Sequence, residues 1–211
     1  MNTEAVETRH GITALASLKR YVPPRADRRE HCGLCHAVIA PIHSHLIEPA
    51  ARRLICSCPS CAILFDGREG TKYRRVPQGC RLLSHFALND VLWDGLNLPI
   101  NLAFFVKFTA SSGVVALYPS PAGATESTVA AEAWDALVEQ NSSLGALRPD
   151  VEALLVNRVS NARDYYRVGI DECFKLVGLI RSHWRGLSGG SAVWTEIGRY
   201  FDDLKERSTH A

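Results

Sequence analysis

The sequence predicts an α+β protein, in which a small four-cysteine metal-binding module is followed by an antiparallel sheet with helices packed on one face. Three observations support this class. Five of the seven cysteines lie within residues 32–61. Apolar runs after residue 100 have the pattern of paired strands, and the last 40 or so residues carry two amphipathic helical stripes. We therefore divide the chain into a flexible N-terminal arm over 1–30, a Cys/His module over 31–80 and an α+β domain over 81–211.

Composition limits the classes of protein that fit. Hydrophobic residues make up 46% of the chain and charged residues 22%, so a core can form outside the cysteine-rich stretch. No apolar run reaches the roughly 18–20 residues that span a bilayer, and the N-terminus has no signal-peptide core. We expect a cytoplasmic protein without membrane insertion, where thiols stay reduced and clustered cysteines serve as metal ligands before disulfides.

The charge is unevenly distributed between the two halves of the chain. Residues 1–81 carry a net charge of +6, and residues 82–211 carry −4. A basic module beside an acidic domain would suit nucleic acid, but it would equally suit an acidic protein surface or attraction between the two halves. We rank a protein partner above nucleic acid.

Four cysteines have the spacing of a metal site. Cys32 and Cys35 form one C-x2-C pair, and Cys58 and Cys61 form a second after 22 intervening residues. Two such turns bring four thiolates around one ion in a tetrahedral site. Zinc is the predicted ion, and iron is the alternative for the same ligand set. We expect Gly33 to ease its turn by adopting a positive φ, and Pro59 to preset φ in the other turn.

Three nearby residues are further candidate ligands. Cys56 ends the strand-like run RRLIC, where it is either a small buried hydrophobe or a fifth thiolate that exchanges with the others. His43 and His45, two residues apart, point to the same side of an extended chain. They could face the ion, lie behind the sulfurs as hydrogen-bond donors, or be ordinary polar positions.

The α+β domain is predicted from its pattern of apolar residues. Residues 101–108 and 113–119 form a hairpin, and residues 151–159 and 165–169 form two further strands. Residues 127–141 form a helix capped by Ser127 or Thr128, after a loop over 118–127. Two helical stripes follow, one from Cys173 to Trp184 and one from Val193 to Leu204. A short strand at Tyr73–Val76 is also expected within the linker.

One loop of the domain is a candidate binding segment. Arg185 and Ser188 lie in the stretch WRGLSGGS between the last two helices. They could bind an anion or a partner, because the loop places a cation and a hydroxyl beside free backbone amides. The simpler interpretation is a helix–helix connector in which Gly189 and Gly190 give the backbone freedom.

The cysteine module resembles those of zinc ribbons, treble clefs and rubredoxins. It is also similar to treble-clef HNH endonucleases, in which the four cysteines would hold structural zinc and His45 would be the base that activates water. Two departures stand against this likeness. Ser44 occupies the place of the acidic or histidine residue before the catalytic histidine, and the helix CAILFD offers only Asp66 for the second metal.

A wider resemblance covers residues 31–206. The chain is similar to an uncharacterised bacterial family encoded beside actinobacterial-type, oxygen-tolerant uptake [NiFe] hydrogenases. The matching stretches are HCGLC, HSHLIEP, RRLICSCPSCAILF, LAFFVKF, ALYPSPAGATES, DVEALLVNR and GLIRSHWRGLSGGSAVW. This resemblance implies an accessory protein that helps to assemble, protect or wire a hydrogenase, with hydrogenase subunits or maturation factors as partners. It carries over no catalytic residues.

Three functions therefore follow from the sequence. The first is a zinc-binding accessory and interaction protein associated with [NiFe] hydrogenase assembly or function. The alternatives are a rubredoxin-like electron carrier with iron at the same four cysteines, and a treble-clef nuclease. We assign no catalytic residue and lean against an enzyme.

Overall fold

The structure is a computed structural model that describes residues 29–66, 72–111, 113–186 and 189–210. The predicted flexible arm over residues 1–30 therefore lies almost entirely outside the described residues. Ser188 also lies outside them.

The module contains a three-stranded sheet. Its elements are β1 (Ser44–Glu48), β2 (Arg53–Ser57), α1 (Pro59–Leu64) and β3 (Arg74–Arg75). The central strand β1 pairs antiparallel with both β2 and β3. A short 3-10 turn over Pro49–Ala51 joins β1 to β2. The strand expected at Tyr73–Val76 is present as β3.

The α+β domain is built on a seven-stranded sheet. Its elements are β4 (Cys80–Leu82), α2 (Asp90–Gly95), β5 (Leu102–Lys107), β6 (Val114–Ser120), β7 (Gly123–Thr128), α3 (Ala131–Gln140), β8 (Glu152–Asn157), β9 (Asp164–Gly169), α4 (Ile170–His183), α5 (Gly190–Glu206) and β10 (Thr209–His210). The strand order is β10-β4-β9-β8-β5-β6-β7. All pairings are antiparallel except that of β10 with β4. The predicted α+β class is confirmed.

The helices, however, cover both faces of this sheet rather than one. Ala153 and Leu155 of β8 belong to a core shared with α4 and α5. Leu154 and Val156, on the opposite side of the strand, belong to a second core with α2 and α3. A strand that is buried on both sides is continuously apolar. The runs ALLV and LAFFV carried that signal, and the one-face prediction overlooked it.

The segment before α3 also differs from the prediction. Ser127 and Thr128 do not cap a helix; they belong to β7, which pairs with β6 in a hairpin. The helix α3 instead begins at Ala131, after Ala130, which makes no side-chain capping bond. The strand β7 lies at the edge of the sheet and has no fully buried residue. It therefore lacks the apolar alternation by which a strand is recognised in sequence.

The module is packed against the α+β domain. Ile47 of β1 and Val76 join the same buried cluster as Phe104 of β5. Arg74 of β3 forms an ion pair of 2.8 Å with Asp150, whose side chain is fully buried. Asp150 also accepts a hydrogen bond of 2.8 Å from the backbone amide of Thr109. The domain boundary predicted near residue 80 stays a prediction.

Asp150 is the polar group on which this packing can be tested. We expect Asp150→Ala to lower the free energy of unfolding by about 2–3 kcal/mol, because the Thr109 amide and Arg74 lose their shared acceptor and alanine is strained at the φ of 69° found at this position. Chemical denaturation measures the loss. The control Asp135→Ala, on the exposed face of α3, should change stability by less than about 0.5 kcal/mol. Equal effects in both variants would contradict the assignment.

Candidate metal centre

The first C-x2-C pair lies in a tight reversal of the chain over residues 31–38. A β-bridge joins His31 to Val38, and the amide of Cys32 donates to the carbonyl of Ala37 at 2.8 Å. The amide of His36 donates to the carbonyl of Cys32 at 2.9 Å, and His36 adopts a positive φ of 61°. This geometry holds Cys32 and Cys35 at the two ends of one turn.

Gly33 has a different role from the one predicted. The positive φ in this turn belongs to His36, and Gly33 is not among the glycines with positive φ. A Cβ at Gly33 would lie 2.7 Å from Cγ2 of Ile55. The Gly33 amide donates to the carbonyl of Cys56 at 2.8 Å. Glycine is therefore required because the knuckle approaches β2 closely.

The second C-x2-C pair lies at the junction between the end of β2 and the start of α1. Cys58 is the N-cap of this helix, and its sulfur accepts a hydrogen bond of 3.4 Å from the amide of Cys61. Pro59 occupies the first helical turn, where its missing amide costs no hydrogen bond and its fixed φ suits the helix. The helical turn directs both sulfurs to the same side.

The two turns bring four sulfurs together. The Sγ atoms of Cys32, Cys35, Cys58 and Cys61 all lie within 4.8 Å of one another, and those of Cys35 and Cys58 are 3.7 Å apart. A tetrahedral zinc site with Zn–S bonds of about 2.3 Å has sulfur–sulfur edges of about 3.8 Å. All seven cysteines are free. These four residues can therefore hold one tetrahedral ion.

The electrostatics of the cluster shift the pKa values of Cys32 and Cys61 in opposite directions. Burial opposes ionisation of Cys32, but hydrogen bonds from the backbone of Cys35, Cys58 and Leu34 bring its pKa down to about 6. Burial, together with hydrogen bonds to the neighbouring sulfurs, raises the pKa of Cys61 to about 12. Without an ion the cluster retains thiol protons, so metal binding would release them.

The other candidate ligands do not join this group. His43, His45 and Cys56 form a second group, whose ligand atoms also lie within 4.8 Å of one another. The sequence analysis offered them as possible further ligands of the same ion, beside other roles, because spacing alone does not separate Cys56 from Cys58.

The candidate binding loop is only partly described. Arg185 lies beyond the end of α4, where its guanidinium donates to the carbonyls of Ser182 at 3.2 Å and Trp184 at 2.8 Å. These contacts with its own helix end suit the connector interpretation. Ser188 lies outside the described residues. Trp184 and Trp194 line an apolar groove of about 390 Å³ next to this loop.

One polar contact near the module was missed by the sequence analysis. Asp171, in the first turn of α4, has its Oδ2 atom 2.9 Å from Nδ1 of His45. The two residues are 126 positions apart, and an acidic residue in a first helical turn is usually explained by the helix dipole. No local sequence signal could have joined them.

Apolar side chains are exposed close to the cysteines. Val38 and Ile42 follow the first knuckle, and Ile63 and Leu64 lie on α1. Between half and nine tenths of each side chain is accessible to solvent. The four residues each lie within seven positions of a cluster cysteine in the sequence, and contiguous exposed apolar residues are typical of surfaces that contact other proteins.

No helix in the described part of the chain is long and apolar enough to cross a membrane.

The fold and the site together define a mixed α+β protein with an early four-cysteine cluster that could hold a metal ion. Residues 31–208 match the model of a family of unknown function, DUF5947, and the chain belongs to that family. No curated protein and no solved structure matches the chain. The function must therefore be argued from the geometry of the chain itself.

The four-cysteine assignment predicts a loss of bound metal on substitution. We expect Cys35→Ser to remove one equivalent of metal per chain, because a serine hydroxyl is a poor replacement for a thiolate ligand. Elemental analysis of the purified protein measures the change. Ser60→Ala, an exposed position within the second knuckle, is the control and should keep its metal. Unchanged metal content in Cys35→Ser would show that the assignment is wrong.

Proposed function

We propose that the chain is a zinc-binding accessory protein, in which the four-cysteine centre folds a surface that docks a partner protein. The observation that carries the proposal is the small core around the cysteines. Among the described residues its buried members are Ile39 and three of the cysteine ligands, with Leu34, Cys56 and Phe65 partly buried against them. A core of this size cannot hold two knuckles together without an additional link, which a structural metal supplies.

Zinc suits this arrangement because the ligand set is complete. Four thiolates occupy all four coordination positions of a tetrahedral ion and leave none for water or substrate, as in structural rather than catalytic zinc sites. All seven cysteines are unpaired, which suits a reducing compartment such as the cytoplasm.

The proposed docking surface consists of the exposed apolar residues beside the cysteines. Ile63 and Leu64 follow Cys61 on α1, and Val38 and Ile42 follow Cys35. Their positions depend on the two knuckles, so they would be displaced when the ion is lost. This links metal binding to partner binding.

The proposed partner is a [NiFe] hydrogenase subunit or maturation factor. This part of the proposal rests on the resemblance of residues 31–206 to the family encoded beside such hydrogenases.

Iron at the same four cysteines is the second candidate, and one observation favours it. Cys35 is exposed whereas the other three sulfurs are buried, so an electron could reach the centre through one accessible ligand. A treble-clef nuclease stays a prediction from the sequence, since none of the contacts made by the described residues favours it over these two.

The visible spectrum separates zinc from iron. Zinc is d10, so we expect anaerobically purified protein to be colourless and to contain zinc by elemental analysis. An iron–thiolate centre instead absorbs visible light when oxidised. Strong absorbance with about one iron per chain would replace the zinc proposal by the electron-carrier proposal.

The docking surface is tested by charge substitution. We expect Ile63→Asp with Leu64→Asp to weaken binding to the hydrogenase subunits at least tenfold, because carboxylates would be buried in an apolar interface. Co-purification and titration of the isolated subunits measure the effect. Val91→Asp, at an equally exposed position on α2, is the control.

If neither the unsubstituted protein nor the control binds hydrogenase subunits or maturation factors, the partner is wrong. If the double variant Ile63→Asp with Leu64→Asp keeps its binding, the docking surface lies elsewhere on the protein.

A further inference from the structure

We infer that His43, His45 and Cys56 form a second metal site, separate from the four-cysteine centre, for a late first-row divalent cation such as Zn²⁺. The inference does not depend on the docking function proposed above. It rests on the strand register, an unpartnered buried nitrogen and a carboxylate behind one of the histidines.

The hairpin of β1 and β2 places the three residues together. His45 lies directly opposite Cys56 in the antiparallel register, so the two side chains project to the same face. His43 precedes His45 by two positions, and the two ring centroids are 4.6 Å apart. One ligand atom from each of the three residues lies within 4.8 Å of the others.

His43 presents a buried nitrogen with no hydrogen-bond partner in the described part of the chain. Only 7% of its side chain is exposed. Its Nδ1 atom lies 2.9 Å from the carbonyl oxygen of Ala40 and 3.2 Å from the carboxylate of Glu30. Because both neighbours are acceptors, Nδ1 carries the proton and the lone pair is on Nε2. Among the residues that the structure describes, this buried Nε2 atom has no hydrogen-bond partner, an arrangement that is costly unless something binds it.

His45 is oriented by a carboxylate, as metal-binding histidines usually are. Its Nδ1 atom lies 2.9 Å from Oδ2 of Asp171, and both side chains are largely buried. A carboxylate that accepts the Nδ1 proton fixes the tautomer and leaves Nε2 free to ligate. The two histidines thus both offer Nε2, each with its Nδ1 held by an acceptor.

Cys56 completes the set with a sulfur ligand. On binding, the thiol would lose its proton to solvent and form one sulfur–metal bond, while the two imidazoles would donate lone pairs without further proton loss. One thiolate and two imidazoles suit zinc and its late first-row neighbours, whereas magnesium and calcium prefer oxygen ligands. Three protein ligands leave one position for solvent, and Cys56 and His45 are both partly exposed.

Cys56 is not needed at the first centre. Four sulfurs already complete a tetrahedron there, and the backbone carbonyl of Cys56 accepts a hydrogen bond from the Gly33 amide. The Cys56 side chain packs against the edge of the four-cysteine core, but its sulfur groups with the ligand atoms of His43 and His45 rather than with the four sulfurs.

Cobalt titration of the full chain tests the second site. Co²⁺ in a four-thiolate site and in a site with one thiolate and two imidazoles gives distinct visible spectra. We expect two equivalents of Co²⁺ per metal-free chain. Cys56→Ser and His43→Ala should each bind one equivalent and keep the four-thiolate spectrum, which also shows that the module is folded.

Two further variants refine the test. Asp171→Asn should keep both equivalents but weaken the second about 10–100-fold, because the carboxylate acts through His45. His85→Ala removes an exposed histidine of the α+β domain, away from both candidate sites, and should leave both equivalents unchanged.

Three outcomes would overturn the second site. They are a single equivalent with the four-thiolate spectrum in the unsubstituted protein, two equivalents in both Cys56→Ser and His43→Ala, and loss of the four-thiolate spectrum in Cys56→Ser, which would assign Cys56 to the first centre. Failure of the four-cysteine assignment is distinguishable, because the unsubstituted chain would then lack the four-thiolate spectrum while His43→Ala would still abolish the spectrum of the second site.

Discussion

The close approach of the first knuckle to β2 is the constraint on which both candidate sites depend. The Gly33 amide reaches the carbonyl of Cys56, and no side chain larger than hydrogen fits between Gly33 and Ile55. This contact brings the first cysteine pair to the end of β2, where Cys58 begins the second pair. It also leaves the Cys56 side chain free to face His45. This backbone hydrogen bond therefore helps to bring the two cysteine pairs together, while the Cys56 sulfur stays outside the four-sulfur group.

Successive side chains of the hairpin formed by β1 and β2 point to opposite faces of the sheet. His45 and Ile47 lie on one face of β1, and Ile47 enters the main core. The proposed second site is consequently held between the module and α4, whose Asp171 approaches His45. The first centre lies at the ends of the strands, where the chain turns. A single hairpin can thus carry two sites, because the four-cysteine centre lies at the ends of its strands and the proposed second site lies on one of its faces.

Sequence patterns predicted the features that depend on near neighbours in the chain. The spacing of Cys32, Cys35, Cys58 and Cys61 identified the residues that meet, because each pair needs only one turn. The α+β class and the hairpin of β5 and β6 followed from apolar runs. Asp171 was not predictable, because 126 residues separate it from His45. The edge strand β7 and the second layer of helices were missed because burial on one or two faces is decided by tertiary packing.

The contacts between the module and the α+β domain explain why a metal bound to the module would affect the stability of the domain. Besides Ile47 and Val76, the contacts include the ion pairs of Arg74 with Asp150 and of Arg52 with Glu126. Ion pairs stabilise only when both partners are correctly placed, and a buried carboxylate without its partner is destabilising. Arg74 lies on β3, which is held by β1, and β1 belongs to the hairpin that carries both candidate sites. Loss of an ion would therefore loosen the element that positions Arg74 over the buried Asp150, so the effect would reach the interior of the domain.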